Sequence, residues 1–141
     1  MTDERMVFDT KIAVVLRDDL PTWQKLNVTA FTVSGVAATI PGVIDEEYVD
    51  GSGNTYLPMF RQPVLIFSGS GDQMRTVYER MRSRDLRFAI FTEELFSTGN
   101  DSDNRAAVRT CPSENLNLVG LALRAEKKVM DKVLRGLSLH Q

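Results

Sequence analysis

The fold of this protein is organised around residues 11–40, which read KIAVVLRDDLPTWQKLNVTAFTVSGVAATI. Residues 12–16 form a short, uninterrupted apolar run rich in β-branched side chains, which is typical of a strand covered on both faces. A polar break at residues 17–22 separates this run from a long amphipathic segment. Apolar residues recur there at steps of three and four, which predicts a helix whose core-facing stripe is Trp23, Leu26, Ala30, Val33, Ala37 and Ile40.

Three further apolar runs, at residues 64–67, 88–91 and 118–123, predict the remaining strands of a central sheet. Helices are predicted between them, one with an apolar stripe at Met74, Val77, Tyr78 and Met81 and a last one over residues 125–134. Residues 43–58 interrupt this alternation as a hairpin-like excursion. The pattern predicts the α/β class, as one domain over residues 1–141 built as a three-layer α/β/α sandwich with a small mixed central sheet.

Composition limits the classes of function. Of the 141 residues 43% are hydrophobic and 26% are charged, as in ordinary globular proteins. The net charge of −2 has the wrong sign for general DNA binding. No apolar run approaches the roughly 20 residues that cross a bilayer, and residues 1–5 lack the pattern of a signal peptide. We therefore expect a cytoplasmic protein without a membrane partner.

Cysteine and histidine are too scarce for most metal and nucleophilic sites. The single Cys111 excludes an internal disulfide and a multi-cysteine metal site, so no metal or other cofactor is predicted. The only histidine, His140, is next to the last residue, in a tail that we expect to be loose. Catalysis by a Cys/His or Ser/His pair is accordingly disfavoured.

The polar break is the predicted functional site, because ligands of open α/β sheets gather where the carboxyl end of a strand meets the amino end of a helix. With Thr22 as the helix cap, Lys25 lies in the first turn, where the helix dipole opposes a cation by about 0.3–1 kcal/mol. A disfavoured position suggests a functional role. The alternative is a solvated lysine paired with Asp18 or Asp19.

Other polar side chains are candidates for the same site. Glu93 and Glu94 follow the third strand and, beside Lys25, supply a general base; alternatively they are exposed acids that blunt a strand end. Asn27, on the first helix, offers a polar group at the mouth of a pocket, or faces water.

Two motifs carry a family resemblance. Residues 17–30, RDDLPTWQKLNVTA, and residues 96–105, FSTGNDSDNR, resemble the signatures of an uncharacterised bacterial family. The order of the elements, with Arg17, Asp19 and Lys25 around the first loop, resembles type II peptidyl-tRNA hydrolases. This resemblance implies a peptidyl-tRNA hydrolase II-like fold, catalytic roles for Lys25 and Glu93, and binding roles for Arg17, Asp19 and Thr98. Gln24 stands where the hydrolases have glycine, and Glu93 where they have aspartate.

Two functions follow as hypotheses. The first is a hydrolase of an ester or acyl bond such as that of an acyl-tRNA, in which Lys25 stabilises developing negative charge and Glu93 or Glu94 activates water. The second is a non-catalytic binding domain that holds a small anionic ligand or a protein partner in the same cleft. Convergence of Lys25 with one of the two glutamates in a single cleft distinguishes them.

Apolar residues outside the predicted core indicate self-association. Val28 and Phe31 fall off the predicted stripe of the first helix, and the excursion and its end carry Tyr48, Tyr56, Leu57, Met59 and Phe60. Exposed apolar patches of this kind mark contact surfaces. We expect a two-fold homodimer, which the resemblance also implies.

Overall fold

A computed structural model of the chain describes residues 8–141. Residues 1–5, expected to lack a signal peptide, lie outside that range. The strands are β1 (Thr10–Arg17), β2 (Tyr48–Val49), β3 (Thr55–Tyr56), β4 (Val64–Gly69), β5 (Ala89–Thr92), β6 (Leu118–Glu126) and β7 (Ser138–Leu139). The helices are α1 (Thr22–Thr39), α2 (Gly71–Ser83), α3 (Asp101–Arg109) and α4 (Lys127–Val133), with short 3-10 helices at Glu93–Ser97 and Ser113–Asn115. All four predicted strands are present, and β7 is an additional one.

Five strands form one mixed sheet in the order β5-β6-β1-β4-β7. Strands β1 and β4 are parallel, β6 is antiparallel to both β1 and β5, and β7 is antiparallel to β4. The mixed sheet and its four helices confirm the predicted mixed α/β class.

Helices cover both faces of the sheet. On one face α2 and α4 pack against Ala13, Val15, Leu121 and Leu123, and on the other face α1 packs against Ile12, Val14 and Ala122. Alternate residues of β1 and β6 thus serve opposite cores, because side chains alternate across a strand.

Helix α2 has the orientation that its sequence predicts. Met74, Val77, Tyr78 and Met81 are all buried. Ser70 begins the helix with a capping box, in which its hydroxyl accepts a hydrogen bond from the Gln73 amide at 3.2 Å.

The predicted core stripe of α1 is wrong for Trp23, Leu26 and Ala30, which are exposed, whereas Val33 and Ile40 pack against the core. The buried residues of α1 are Val28, Thr32 and Val36, whereas Trp23 is 57% exposed and Leu26 is 67% exposed. The helix approaches the sheet at Gly120 of β6, where an added β-carbon would overlap the side chain of Val28. Small and β-branched residues permit this approach, so they face the sheet and the bulky side chains face outward.

The start of α1 also differs from the prediction. Pro21, not Thr22, occupies the cap position, and no side chain within residues 8–141 caps the helix. The Pro21 carbonyl accepts hydrogen bonds from the amides of Gln24 and Lys25 at 3.0 and 3.1 Å. Lys25 nevertheless lies in the first turn, as predicted.

The excursion forms a hairpin of β2 and β3, closed at its base by a bridge between Ile44 and Phe60. The Asp50 carboxylate accepts hydrogen bonds from the amides of Ser52 and Asn54 and, at 2.6 Å, from the Tyr56 hydroxyl. These donors lower the pKa of Asp50 to about 2, the Tyr56 bond being the largest cause.

A helix that crosses a bilayer needs about 20 predominantly apolar residues. Over residues 8–141, no helix has both the length and the hydropathy of a membrane span.

Candidate functional site

The ends of four strands meet at one edge of the sheet. Since β1, β4 and β5 run in one direction, they end together at Arg17, Gly69 and Thr92, and the antiparallel β6 begins beside them at Leu118. We call this the carboxyl edge. It is the edge at which open α/β sheets bind ligands.

A cluster of four polar side chains joins the ends of β1, β5 and β6. The guanidinium of Arg17 donates to Asp19 at 2.6 Å, to Glu93 at 3.0 Å and to the side-chain oxygen of Asn117 at 3.4 Å. The side-chain amide of Asn117 donates to the other Glu93 oxygen at 2.7 Å. The structure thus brings together three residues that the sequence proposed, and adds Asn117.

This cluster favours the charged forms of Arg17 and Glu93. Hydrogen bonds from Arg17 and then Asn117, together with the charge of Arg17, lower the pKa of Glu93 below its ordinary value. Burial lowers the pKa of Arg17, and the bonds and charges of Asp19 and Glu93 more than offset this, so that its pKa is raised. Glu93 is therefore a weaker base than an ordinary glutamate.

Lys25 lies in a different place at the same edge. It lines a cavity of about 320 Å³ with Leu16, Thr22, Leu26, Thr29, Ile66 and His140, which we call the Lys25 cavity. The ammonium nitrogen is 3.1 Å from Nε2 of His140. Nδ1 of His140 lies 2.7 Å from a main-chain oxygen of Gln141, and in the tautomer with the proton on Nδ1 the Nε2 atom accepts a hydrogen bond from Lys25.

His140 is held by the sheet, which corrects the expectation of a loose tail. Strand β7 pairs Ser138 with Ser68 and Leu139 with Phe67, and the His140 amide donates to the carbonyl of Ile66 at 2.8 Å. The imidazole is thereby placed over β4, next to α1. A two-residue strand has too few residues to show a period in the sequence, so pattern analysis missed it.

The structure does not bring Lys25 together with the glutamates. In the part of the chain that it describes, no hydrogen bond or ion pair joins Lys25 to Glu93 or Glu94, and Asp19 binds Arg17 instead of Lys25. Glu94 is exposed.

The last two predicted site residues also lie apart from Lys25. Asn27 is exposed on α1. The Thr98 hydroxyl donates to the carbonyl of Leu95 and to the side chain of Asn104, and so braces the turn that leads into α3.

Among residues 8–141, no three His, Cys, Asp or Glu side chains are grouped as a metal site. The polar groups available to a ligand are the ammonium, hydroxyl and imidazole groups of the Lys25 cavity.

The fold and this cavity define a mixed α/β protein with a small, largely apolar cavity that holds one lysine at the carboxyl edge of its sheet. The chain belongs to the family described as protein of unknown function (DUF2000), whose profile matches residues 10–141. A solved protein of unknown function from Agrobacterium tumefaciens strain C58 is similar, with 44% identity and a TM-score of 0.93 over 96% of this chain and 100% of that chain. A comparison with curated proteins gave no match.

These findings confirm the resemblance to an uncharacterised family. Neither match names a peptidyl-tRNA hydrolase. That part of the resemblance stays a prediction.

Proposed function

We propose that this protein binds a small ligand with one anionic group in the Lys25 cavity. The observation that carries the proposal is a half-buried ammonium among apolar and hydroxyl-bearing side chains, with the imidazole of His140 as its contact. An ammonium has three hydrogens and His140 accepts one, so donors remain for a carboxylate or phosphate oxygen. Charge-assisted bonds of this kind are among the stronger ones in proteins.

The other walls of the cavity indicate the rest of the ligand. Leu16, Leu26 and Ile66 offer apolar contacts, and the exposed Leu26 loses water contact when a ligand covers it. A volume of about 320 Å³ lies at the small end of the roughly 300–1,000 Å³ range of ligand pockets. We infer a compact monoanion with a short apolar body, such as a short-chain carboxylic acid.

Binding is preferred to hydrolysis because of the state of the glutamates. Glu93 is engaged by Arg17 and Asn117, and its lowered pKa makes it a poor acceptor for a proton from water. Glu94 is exposed. The pairing of Lys25 with a catalytic carboxylate, on which the hydrolase hypothesis was based, has no contact to support it.

Hydrolysis of an acyl ester, such as that of an acyl-tRNA, is the second candidate, favoured by the contact between Lys25 and the imidazole of His140. In this version Lys25 stabilises the developing oxyanion and Nε2 of His140, instead of a glutamate, accepts the proton of the attacking water. The resemblance to type II peptidyl-tRNA hydrolases, including their sandwich fold, supports the choice of substrate.

Binding is tested by adding butyrate, and separately inorganic phosphate, to the isotope-labelled protein and following amide shifts by NMR. We expect saturable shifts around Leu16, Lys25 and Ile66, and a dissociation constant raised about tenfold or more in Lys25→Met, since a hydrogen bond to a charged group contributes about 1.5–3 kcal/mol. Lys128→Met, an exposed lysine on α4, is the matched control. Equal affinities of Lys25→Met and wild type contradict the proposal.

Hydrolysis is tested with an acyl-tRNA and with p-nitrophenyl butyrate. The second candidate requires Lys25→Ala to lower the rate by a factor of order 100, the usual scale for one lost oxyanion donor. It also requires His140→Gln to lower the rate, because the group that accepts the proton from water is then lost. Turnover that is unchanged in both variants rules this mechanism out.

We also propose that the protein is a two-fold homodimer. Trp23 on α1, Tyr48 and Tyr56 of the hairpin, and Leu57 and Met59 beyond it are exposed apolar side chains, Leu57 at 82%. A stable contact buries at least about 1,000 Å² in total. Sedimentation equilibrium at micromolar concentration is expected to give twice the mass of 15.8 kDa; a monomer mass independent of concentration contradicts it.

A further inference from the structure

A groove of about 750 Å³, which we call the edge groove, runs along the outer edge of β5. Strand β5 is the first in the sheet order, so β6 pairs with only one of its two edges. Ala89, Ile90 and Phe91 all line the groove. Because consecutive side chains of a strand point to opposite faces, a groove that reaches all three residues follows the open backbone edge.

Two helices form the walls of the edge groove. Phe31 and Ser34 of α1 lie on one side, and Arg105, Val108 and Arg109 of α3 lie on the other. The four residues of β5 span about 13 Å at roughly 3.3 Å each. The nine residues of α3 span about 13.5 Å at 1.5 Å each, which matches the strand in length.

The backbone of β5, which lies at the bottom of the edge groove, favours the binding of another polypeptide backbone. In an antiparallel pair, alternate residues turn their N–H and C=O groups away from the neighbouring strand. Of Ala89, Ile90 and Phe91, which precede the register shift at Thr92, one or two therefore direct theirs to the open edge. Donors and acceptors at this spacing are matched by another extended chain.

The walls select the side chains of that chain. Phe31 is 59% exposed, and its ring meets that of Phe91 edge-on with centroids 5.9 Å apart. Val108 and Ile90 provide an apolar surface on the opposite side of the strand. An added strand turns alternate side chains toward these two walls, which favours apolar residues at alternate positions.

The charges at the rim add a further requirement. Arg105 donates to Asp101 at 2.9 Å, and Arg109 is exposed without an ion pair among residues 8–141. Two arginines against one aspartate leave an excess positive charge on the α3 wall. An acidic residue in the bound segment complements it.

We propose that the edge groove receives an extended peptide segment of a partner protein, with alternating apolar side chains and an acidic residue, as a strand added to β5. The peptide forms backbone hydrogen bonds with β5, packs between α1 and α3, and places its acidic residue at Arg109. The groove is separate from the Lys25 cavity, so this proposal holds or fails independently of ligand binding there.

The test begins with a selection of random seven-residue peptides displayed on phage against the purified protein, with counter-selection against Ser34→Trp, whose indole fills the edge groove. We expect enrichment of peptides that alternate apolar residues and carry an acidic one. Affinity of a synthetic copy falls by about tenfold or more in Ser34→Trp, and by roughly threefold to tenfold in Arg109→Glu. The matched controls Ala38→Trp, also exposed on α1, and Lys128→Glu leave it unchanged.

Two readouts report on the backbone directly. Methylation of alternate peptide nitrogens is expected to abolish binding, and hydrogen exchange of the wild-type protein is expected to slow at residues 89–92 when the unmethylated peptide is added. The exchange measurement needs no variant, so it decides the matter even where Ser34→Trp does not fold.

Three results overturn the proposal. The first is the absence of any enriched alternating peptide, and the second is equal binding to wild type and Ser34→Trp. The third is a wild-type dimer that Ser34→Trp converts to a monomer, because the edge groove then holds a second copy of this chain instead of another protein.

Discussion

The helices on the two faces of the sheet use their apolar side chains in opposite ways. Helix α2 turns its one apolar stripe to the sheet and buries Met74 and Met81 completely. Helix α1 buries Val28 and Thr32 and leaves bulkier residues, Leu26 among them, largely exposed. Both helices lie on the same sheet, so the difference arises from the sequences of the helices and from the sheet residues that each helix contacts.

The comparison shows when periodicity determines the orientation of a helix. In α2 the residues opposite the apolar stripe are charged, so only one rotation buries apolar surface without burying charge. In α1 apolar residues occur on several sides, and steric fit at Gly120 selects the rotation. Of the apolar side chains left outside, Leu26 lines the Lys25 cavity and Phe31 lines the edge groove.

The largest expected effect is the difference in stability between truncating the buried face of α2 and truncating the exposed face of α1. Met74→Ala on α2 is expected to lower the free energy of unfolding by about 2–5 kcal/mol, because it leaves a cavity in a closed core. Leu26→Ala on α1 is expected to change it by no more than about 0.5 kcal/mol in the monomer, as for other exposed positions. Urea denaturation at low protein concentration measures both, and a large loss in Leu26→Ala alone means that this side chain is buried in solution.

The close approach of α1 gives the next largest effect. Gly120→Ala is expected to lower the free energy of unfolding by about 1–3 kcal/mol, because the new methyl group overlaps the stiff side chain of Val28. Val28→Ala removes the overlapping atoms, so in that background Gly120→Ala should cost much less. A double-mutant cycle measures the coupling; purely additive losses show that the two residues are not in contact.

The smallest effect on stability is expected at the carboxyl edge of the sheet, where the side chains interact through charge and not through apolar packing. The coupling of Arg17 with Glu93, from the variants Arg17→Gln and Glu93→Gln, is expected to be about 0.2–1 kcal/mol and to weaken in salt, since the Glu93 side chain is 52% exposed.

The contribution of the Arg17–Glu93 pair to stability decreases as the pH falls. The pKa of Glu93 is lowered in the folded protein, so its contribution is fully present above the unfolded value of about 4.5 and is lost as the pH falls through the folded value. Wild type should therefore lose more stability on acidification than Glu93→Gln does. Chemical denaturation across the acidic range measures this, and parallel pH profiles contradict it.

Local pattern was sufficient for much of the fold. The four strands, the buried stripe of α2 and the hairpin follow from runs, periods and turn residues that act over a few positions. The position of Arg17 and Glu93 at one edge also follows from their places after strands, since strands that run in one direction end together. Asn117 was within reach of the same argument, because it precedes an antiparallel strand that begins at that edge.

Contacts between residues distant in sequence determined the arrangement of the polar side chains at the candidate site. Strand β7 carries His140 to the side of Lys25 across 115 residues of sequence, and no local signal records such a pairing. Lys25 contacts His140, whereas Glu93 binds Arg17 and Asn117. The sequence alone determined which residues form β1, β4, β5, β6 and α2, because hydrophobic burial follows local period. Only the tertiary structure decided where β7 pairs, which face of α1 meets the sheet and which polar groups share a cavity, because those outcomes depend on steric fit and pairing between distant residues.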